Sequence, residues 1–165
     1  MDFKLIDVST DLRMQEALNI YKSNSDYFAM TSSRPITMLN VDKDMKSIPL
    51  DVDMSQKNYK LISIDSNIVG IIDYITSYPE EDEVYIGLIM IDSKFHRNHI
   101  ATNVVEFMEN YFKKLGFIKV ELSVIKDNTA AVSMWNAMGY RFKSEKVTSV
   151  GDNDSVEVIT LIKRI

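Results

Sequence analysis

One amphipathic segment between two apolar runs constrains the fold more than any other feature of the chain. Its apolar residues recur at helical spacing, and Gly116 follows them where a helix commonly ends. The stripe consists of Ile100, Val104, Phe107, Met108, Tyr111 and Leu115. Residues 84–91 before it are apolar nearly throughout, as in a strand buried on both faces, and residues 118–124 after it alternate apolar and mostly polar. Together they predict a βαβ unit with a right-handed crossover and residues 84–91 at the centre of the sheet.

The rest of the chain predicts antiparallel strands on either side of this unit. Residues 59–64 and 68–76 are β-branched runs joined by Asp65-Ser66-Asn67, which favours a hairpin turn. Residues 140–147 and 156–162 form a second pair across residues 151–153. The result is a mixed sheet, mostly antiparallel, of α/β (α+β) class.

The remaining elements are shorter. Residues 3–8 predict a first strand, and Thr10 or Asp11 caps a helix that fades by residues 23–25. Asn128 opens a short helix that Gly139 closes. Residues 26–57 carry mixed signals and predict loop with room for a short helix. This stretch is either the wall of a substrate entrance or an ordinary surface excursion.

Composition excludes several classes of protein. A chain of 165 residues suits one domain, residues 1–165, which can bury a core without disulfides or metal. The net charge of −5 and the lack of a Lys/Arg stripe argue against nucleic-acid binding. Without cysteine, the chain has no disulfide, thiolate metal site or cysteine acyl-enzyme. No signal peptide or membrane span is apparent, so we expect a soluble cytoplasmic protein without a membrane partner.

The turn formed by residues 92–99 is the candidate ligand site. It joins the carboxyl end of a central strand to the start of the amphipathic helix, where ligands bind in open α/β sheets. Backbone amides of residues 97–102 are free at this helix start and suit a diphosphate. Lys94, His96 and Arg97 add donors or positive charge. The turn therefore predicts a phosphate-bearing ligand, although many such turns bind nothing.

Two motifs resemble the GNAT-type N-acetyltransferases. Residues 86–102, IGLIMIDSKFHRNHIAT, are similar to the strand and phosphate loop of that family. Residues 128–140, NTAAVSMWNAMGY, are similar to its second motif, at the usual separation. The phosphate loop departs from the family pattern, because His96 replaces Gln or Arg and His99 replaces Gly, whereas Ala101 fits. A side chain at position 99 can crowd a diphosphate, although histidine tolerates left-handed backbone better than most residues.

The resemblance implies a GNAT fold of six to seven strands and about four helices, with a parallel pair that splays near Gly87. It also implies acetyl transfer from acetyl-CoA, as cosubstrate and without metal, to a primary amine. That acceptor is a small amine, a polyamine, or a peptide or protein amine, and the overall acidity favours a cationic one. The implied coenzyme-binding residues are Ile89, Met90, Ile91, His96, Arg97, Asn98, His99, Ile100, Ala101, Thr102, Asn128, Ala131 and Trp135.

The catalytic residues stay open among several candidates. The amine must arrive neutral, so a base or a water chain has to take its proton. Tyr85 stands where many family members have a glutamate; Glu83 just before it and Asp73 on the preceding strand are the candidate carboxylates. Tyr85 and Tyr140 are candidate donors to the departing thiolate, whereas Trp135 is interpreted as a core residue because an indole cannot act as an acid.

Two alternatives remain beside the enzyme. The same fold could serve as a weakly active or inactive CoA-binding regulatory module. A doubly wound nucleotide-binding fold is disfavoured, because the two predicted hairpins require antiparallel strands. Either a monomer or a homodimer fits the sequence.

Overall fold

A computed structural model describes all residues from 1 to 165 as seven strands and five helices. The strands are β1 (Phe3–Asp7), β2 (Lys57–Ile64), β3 (Asn67–Thr76), β4 (Glu83–Ile91), β5 (Lys119–Ile125), β6 (Arg141–Val150) and β7 (Asn153–Arg164). The helices are α1 (Asp11–Ser23), α2 (Ser25–Ala29), α3 (Met38–Lys46), α4 (Ile100–Lys114) and α5 (Thr129–Ala137). None of the helices combines the length and the apolar character that a bilayer-spanning segment requires.

All seven strands form one sheet in the order β1-β2-β3-β4-β5-β7-β6. The β4–β5 pair is parallel and is connected through α4, and every other neighbouring pair is antiparallel. The predicted mixed sheet with one parallel pair is therefore confirmed. Asp65 and Ser66 both take positive φ, 48° and 72°, as the tight turn of a twisted hairpin requires.

Residues 26–57 differ most from the prediction, because they contain all of α3 and, except for its first residue, all of α2. Neither helix has a long apolar stripe; Val41 is the fully buried residue of α3 and α2 has none. Asn40 stabilises the start of α3 by accepting a 2.8 Å hydrogen bond from the backbone N–H of Thr37. The total is five helices where about four were expected.

The helices cover opposite faces of the sheet and create two separate cores. α4 and α5 pack on one face, where Val104, Met108 and Phe112 are fully buried. On the other face, α1 to α3 enclose a second core around Tyr21 and Leu61. Apolar burial of this kind contributes about 1.5–3 kcal/mol per large side chain, so both faces are firmly held.

A close approach between β3 and β4 requires glycine at position 70. A Cβ atom added there would lie 2.6 Å from the carbonyl oxygen of Met90 and 2.9 Å from Cδ1 of Ile91. The first contact is with backbone, which cannot move away without separating β3 from β4 at the Gly70↔Ile91 pair.

We predict that Gly70→Ala lowers the free energy of unfolding by about 1–3 kcal/mol, since the methyl group overpacks the sheet centre. Urea unfolding at neutral pH measures the change. Asn67→Ala, at the exposed start of the same strand, is the control and should stay within about 0.5 kcal/mol of the parent. Equal stabilities for the two variants would show that β3 and β4 are not packed this closely.

Candidate acyl-transfer site

The parallel strands β4 and β5 separate part of the way along their length. Their register covers only residues 83–86 of β4 and 119–122 of β5, from Glu83↔Lys119 to Ile86↔Leu122. At this point Gly87 is an extra residue in β4, because on the other side Tyr74 pairs with Ile86 and Asp73 with Leu88. Such a bulge bends its strand and increases the local twist. The strands therefore diverge at Gly87, where the family resemblance implied the splay.

A cavity of about 1070 Å³ lies in this opening and extends to the start of α4. Most of the implied coenzyme-binding residues line it, namely Ile89, Met90, Ile91, His96, Arg97, His99, Ile100, Ala101, Asn128, Ala131 and Trp135. Asn98 and Thr102 do not line this cavity, although they belong to the same turn and helix start. The volume of about 1070 Å³ is slightly above the range for small-molecule sites, about 300–1,000 Å³.

The turn after β4 is shaped by two residues in left-handed backbone. Arg97 has φ of 66° and His99 has φ of 56°, so histidine adopts the conformation for which the family uses glycine. The His96 ring turns back to the strand end, where Nε2 lies 2.9 Å from the carbonyl oxygen of Ile91 and must donate to it. Asn24 Nδ2 donates to the same carbonyl at 3.0 Å. His96 thus fixes the turn to the strand end.

The amides of residues 97–102 form a patch of free donors at this turn. None of these N–H groups has a backbone or side-chain acceptor, and the first amide of the region that is bonded is that of Asn103, to the His99 carbonyl at 3.0 Å. His99 supplies no side-chain cap. The partial positive charge at a helix start, about half an elementary charge, lies in the same place. The patch is suited to an anion such as a diphosphate.

The start of α5 lies across the opening from this patch. Asn128 is the N-cap, since its Oδ1 accepts from the Ala131 amide at 3.3 Å, while its Nδ2 donates to no protein group. Asn128 therefore has a structural role and still offers a donor to the cavity. Trp135 packs edge-on against Tyr140, with ring centroids 4.8 Å apart, as its core interpretation requires.

A second cavity, of about 700 Å³, meets the first at Gly87 and Leu88. Its walls come from α2, α3 and the loops that follow them, and from the tip of the β6–β7 hairpin. At that tip, Asp152 pairs with Arg34 at 3.3 Å. The charged residues that line this cavity balance one another and are Asp44, Asp73, Asp152, Arg34, Lys43 and Lys57.

Asp73 is the candidate carboxylate that the structure brings to the junction of the two cavities. It is only 7% exposed, and a Cβ atom on Gly87 would lie 3.2 Å from its Oδ2. Lys57 Nζ donates to Oδ2 at 2.7 Å, whereas Oδ1 is buried without any partner. Burial raises the pKa of Asp73 to about 6, and the attraction of Lys57 offsets the rise only in part.

A chain of hydroxyl groups lies next to this ion pair. Tyr59 donates to the Tyr21 hydroxyl at 2.9 Å, and Tyr21 donates to Asp44 Oδ2 at 2.6 Å. Burial raises the pKa of Asp44, and the pKa values of both tyrosines are raised by burial as well. Sequence patterns singled out neither Lys57 nor Asp44. The one signal that could have found Lys57 was its even spacing from Tyr59 in β2, which places both on one face.

The other candidate catalytic residues are placed differently. Tyr85 lines both cavities, and burial raises the pKa of its hydroxyl. Glu83 lines neither cavity; it is 2% exposed and accepts from Lys119 at 2.9 Å. Tyr140 is fully buried beneath Trp135 and also lines neither cavity. No three His, Cys, Asp or Glu side chains cluster in a way that could hold a metal ion.

Comparison with solved structures shows the same fold along the whole chain. An acetyltransferase from Thermus thermophilus has a TM-score of 0.79 at 17% identity, over 100% of this chain and 98% of that one. The ribosomal-protein-S18-alanine N-acetyltransferase from Escherichia coli has a TM-score of 0.71 at 12% identity, over 99% and 93%. A GNAT family acetyltransferase from Elizabethkingia anophelis, with acetyl-CoA bound, has a TM-score of 0.66 at 10% identity, over 99% and 97%.

No curated protein matches the sequence. The model of the acetyltransferase (GNAT) family matches residues 20–140. This stretch includes the separated strands, the free amides at the start of α4, and α5. The chain belongs to the acetyltransferase (GNAT) family.

Proposed function

We propose that the protein transfers an acetyl group from acetyl-CoA to a primary amine. The observation that carries the proposal is the opening between β4 and β5, which extends from the free amides of residues 97–102 to Gly87, where it meets the second cavity and the buried carboxylate of Asp73. A family member of the same fold has acetyl-CoA bound, and another is named for acetylation of an alanine of a ribosomal protein. The acceptor is a small amine, a polyamine, or a peptide or protein amine.

The residues around the larger cavity fit the chemical parts of acetyl-CoA. The amides of residues 97–102 and the Arg97 side chain suit the diphosphate, and Asn128 Nδ2 suits a carbonyl of the pantetheine arm. Ile89 lies beyond the last β4–β5 pair, so its edge facing β5 can take an extended chain. The Ile91 carbonyl has two donors already, which leaves Ile89 as the better partner.

Asp73 is the residue that we propose takes the proton from the amine. Acetyl-CoA supplies an activated acetyl group: the C–N bond forms as the C–S bond breaks, and the thiolate that leaves becomes CoA-SH on taking up a proton. The Tyr85 hydroxyl is protonated at neutral pH and lines the cavity junction, so it is the donor that we propose for the departing thiolate. Glu83 and Tyr140 lie away from both cavities and have no direct role in this scheme.

A binding and turnover experiment separates the enzyme from a CoA-binding module. Acetyl-CoA at a hundred times its Kd should stabilise the fold by about 2.7 kcal/mol in a thermal shift, and adenosine nucleotides should do so less. Thiol release with a panel of amines should exceed the rate without amine. Stabilisation without any amine-dependent thiol release would favour the regulatory module, and no stabilisation would contradict both.

We predict that His99→Val weakens acetyl-CoA binding by up to about tenfold. A β-branched residue disfavours left-handed backbone by about 1–2 kcal/mol, so the free turn relaxes and binding must restore it. His99→Gly is the matched control, because glycine keeps the conformation and removes the side chain, and its affinity should equal or exceed that of the parent. Isothermal titration calorimetry gives both constants. Equal weakening in both variants would mean that the imidazole itself, not the backbone, binds the coenzyme.

We predict that Asp73→Asn lowers kcat/KM for the amine about 10²–10⁴-fold, with the Kd for acetyl-CoA unchanged. The carboxylate form is the base, so activity of the parent should rise with pH through about 6, where the raised pKa of Asp73 lies. Steady-state rates from pH 5 to 9 measure this rise, which is the acidic limb of the pH–rate profile. The asparagine variant should lack the limb.

Glu83→Gln distinguishes the two candidate carboxylates. It should keep the limb near pH 6, because Glu83 contacts Lys119 and neither cavity. Thermal unfolding of each variant shows whether a loss of rate reflects a loss of folded protein. Loss of the limb in Glu83→Gln with Asp73→Asn still active would assign the proton to Glu83.

A further inference from the structure

Lys57 is a buried cation whose position the proposed function does not yet explain. It begins β2, and its side chain is 4% exposed. Nζ donates to two groups: Asp73 Oδ2 at 2.7 Å and the carbonyl oxygen of Ser47 at 2.9 Å. Ser47 is the residue at which α3 ends, and it lines both cavities. One side chain therefore joins the carboxylate at the cavity junction to the wall that the two cavities share.

This ion pair is poorly arranged as a device for stability alone. Removing a lysine and a carboxylate from water costs several kcal/mol per ion, which the attraction recovers only when the remaining polar atoms also find partners. Here Asp73 Oδ1 has no donor, and Lys57 makes its one charged contact to the other oxygen. Replacing a buried ion pair by apolar residues of similar volume is often neutral or stabilising, so stability alone does not account for this pair. The arrangement instead holds Oδ2 beside Gly87.

The charged and titratable groups around Asp73 act in opposite directions. Lys57 lowers the pKa of Asp73, and the negative charge of Asp44 from α3 raises it after the larger effect of burial. Tyr59 lies opposite Asp73 in the β2–β3 register, and Tyr85 from β4 lines the same cavity. Of these groups, Lys57 supplies the positive charge in contact with Asp73 and so favours its ionised form.

We propose that Lys57 is the positioning residue for acetyl transfer: it holds Asp73 ionised beside Gly87 and fixes it to the cavity wall at Ser47. Lys57 takes up no proton itself; the proton passes from the amine to Asp73. This inference rests on the proposed function, but it concerns residues of the chain that can be observed without substrate.

The activity test compares pH profiles of kcat/KM for Lys57→Met and the parent. Without the positive charge, the limb near pH 6 should move to higher pH by about one unit or more. At pH values below the new limb, Lys57→Met should then be about tenfold less active than the parent. Acetyl-CoA affinity should stay the same. Lys57→Arg should bring the limb back toward that of the parent. If Lys57→Met does not fold, Lys57→Gln keeps a donor without the charge and must show the same shift.

Lys60→Met is the matched control, because Lys60 lies on the same strand and pairs with Asp7. Its limb should stay with that of the parent. A lower melting temperature in Lys57→Met with an unmoved limb would show a purely structural role and overturn the proposal. A limb that moves equally in Lys60→Met would overturn it too.

A carbon-13 titration of aspartate-labelled protein without substrate keeps this inference separate from the proposed function. The Asp73 carboxyl signal, assigned by its loss in Asp73→Asn, should titrate near pH 6 in the parent and higher in Lys57→Met. Failure of every amine in the panel would refute the proposed function, while the titration would still report the ion pair. An unmoved Asp73 signal would refute the role of Lys57 even in an active enzyme.

Discussion

The divergence of β4 from β5 is the constraint on which the site depends. Parallel strands in register to their ends would close the space that the larger cavity occupies, and the pairing stops after Ile86. The cause is local: the extra residue in β4 is Gly87, and bulges bend strands. Glycine also leaves room for Asp73, whose Oδ2 would lie 3.2 Å from any Cβ at that position. One residue thus opens the strands and admits the carboxylate.

The α4 side and the α3 side of this opening differ in their electrostatics. On the α4 side, amides without acceptors and the helix dipole create a fixed partial positive charge, which suits an anion and involves no titrating group. On the α3 side, Asp73 and Lys57 are buried together and their charges cancel, so this cavity does not attract cations by net charge. The cationic acceptor expected from the overall acidity of the chain therefore finds no support in the cavity lining.

Local pattern predicted most of the fold, because α4, its two flanking strands and both hairpins have their signals within short stretches of sequence. The α3 helix was not predicted as such, since Val41 is its one fully buried residue, and Met38 and Met45 pack against the core while partly exposed. The surroundings of Glu83 depend on distant contacts. Its acidic neighbours are typical of a solvated loop, yet Lys119, 36 positions later, pairs with it in the sheet. Pairings of this kind follow from strand register, which a single segment does not encode.

Lys57 was not singled out because its partners, Asp73 and the Ser47 carbonyl, come from other segments of the chain. Helix α3 packs Val41, Met38 and Met45 against the second core, and two polar links add to this contact: Asp44 accepts from Tyr21, and the Ser47 carbonyl accepts from Lys57. Both links lie next to Asp73, because Lys57 also donates to it and the negative charge of Asp44 raises its pKa. In the proposed reaction Asp73 takes up a proton next to Lys57, whose other contact is the Ser47 carbonyl in the wall of both cavities, so the proton-accepting group and that wall share one ammonium group.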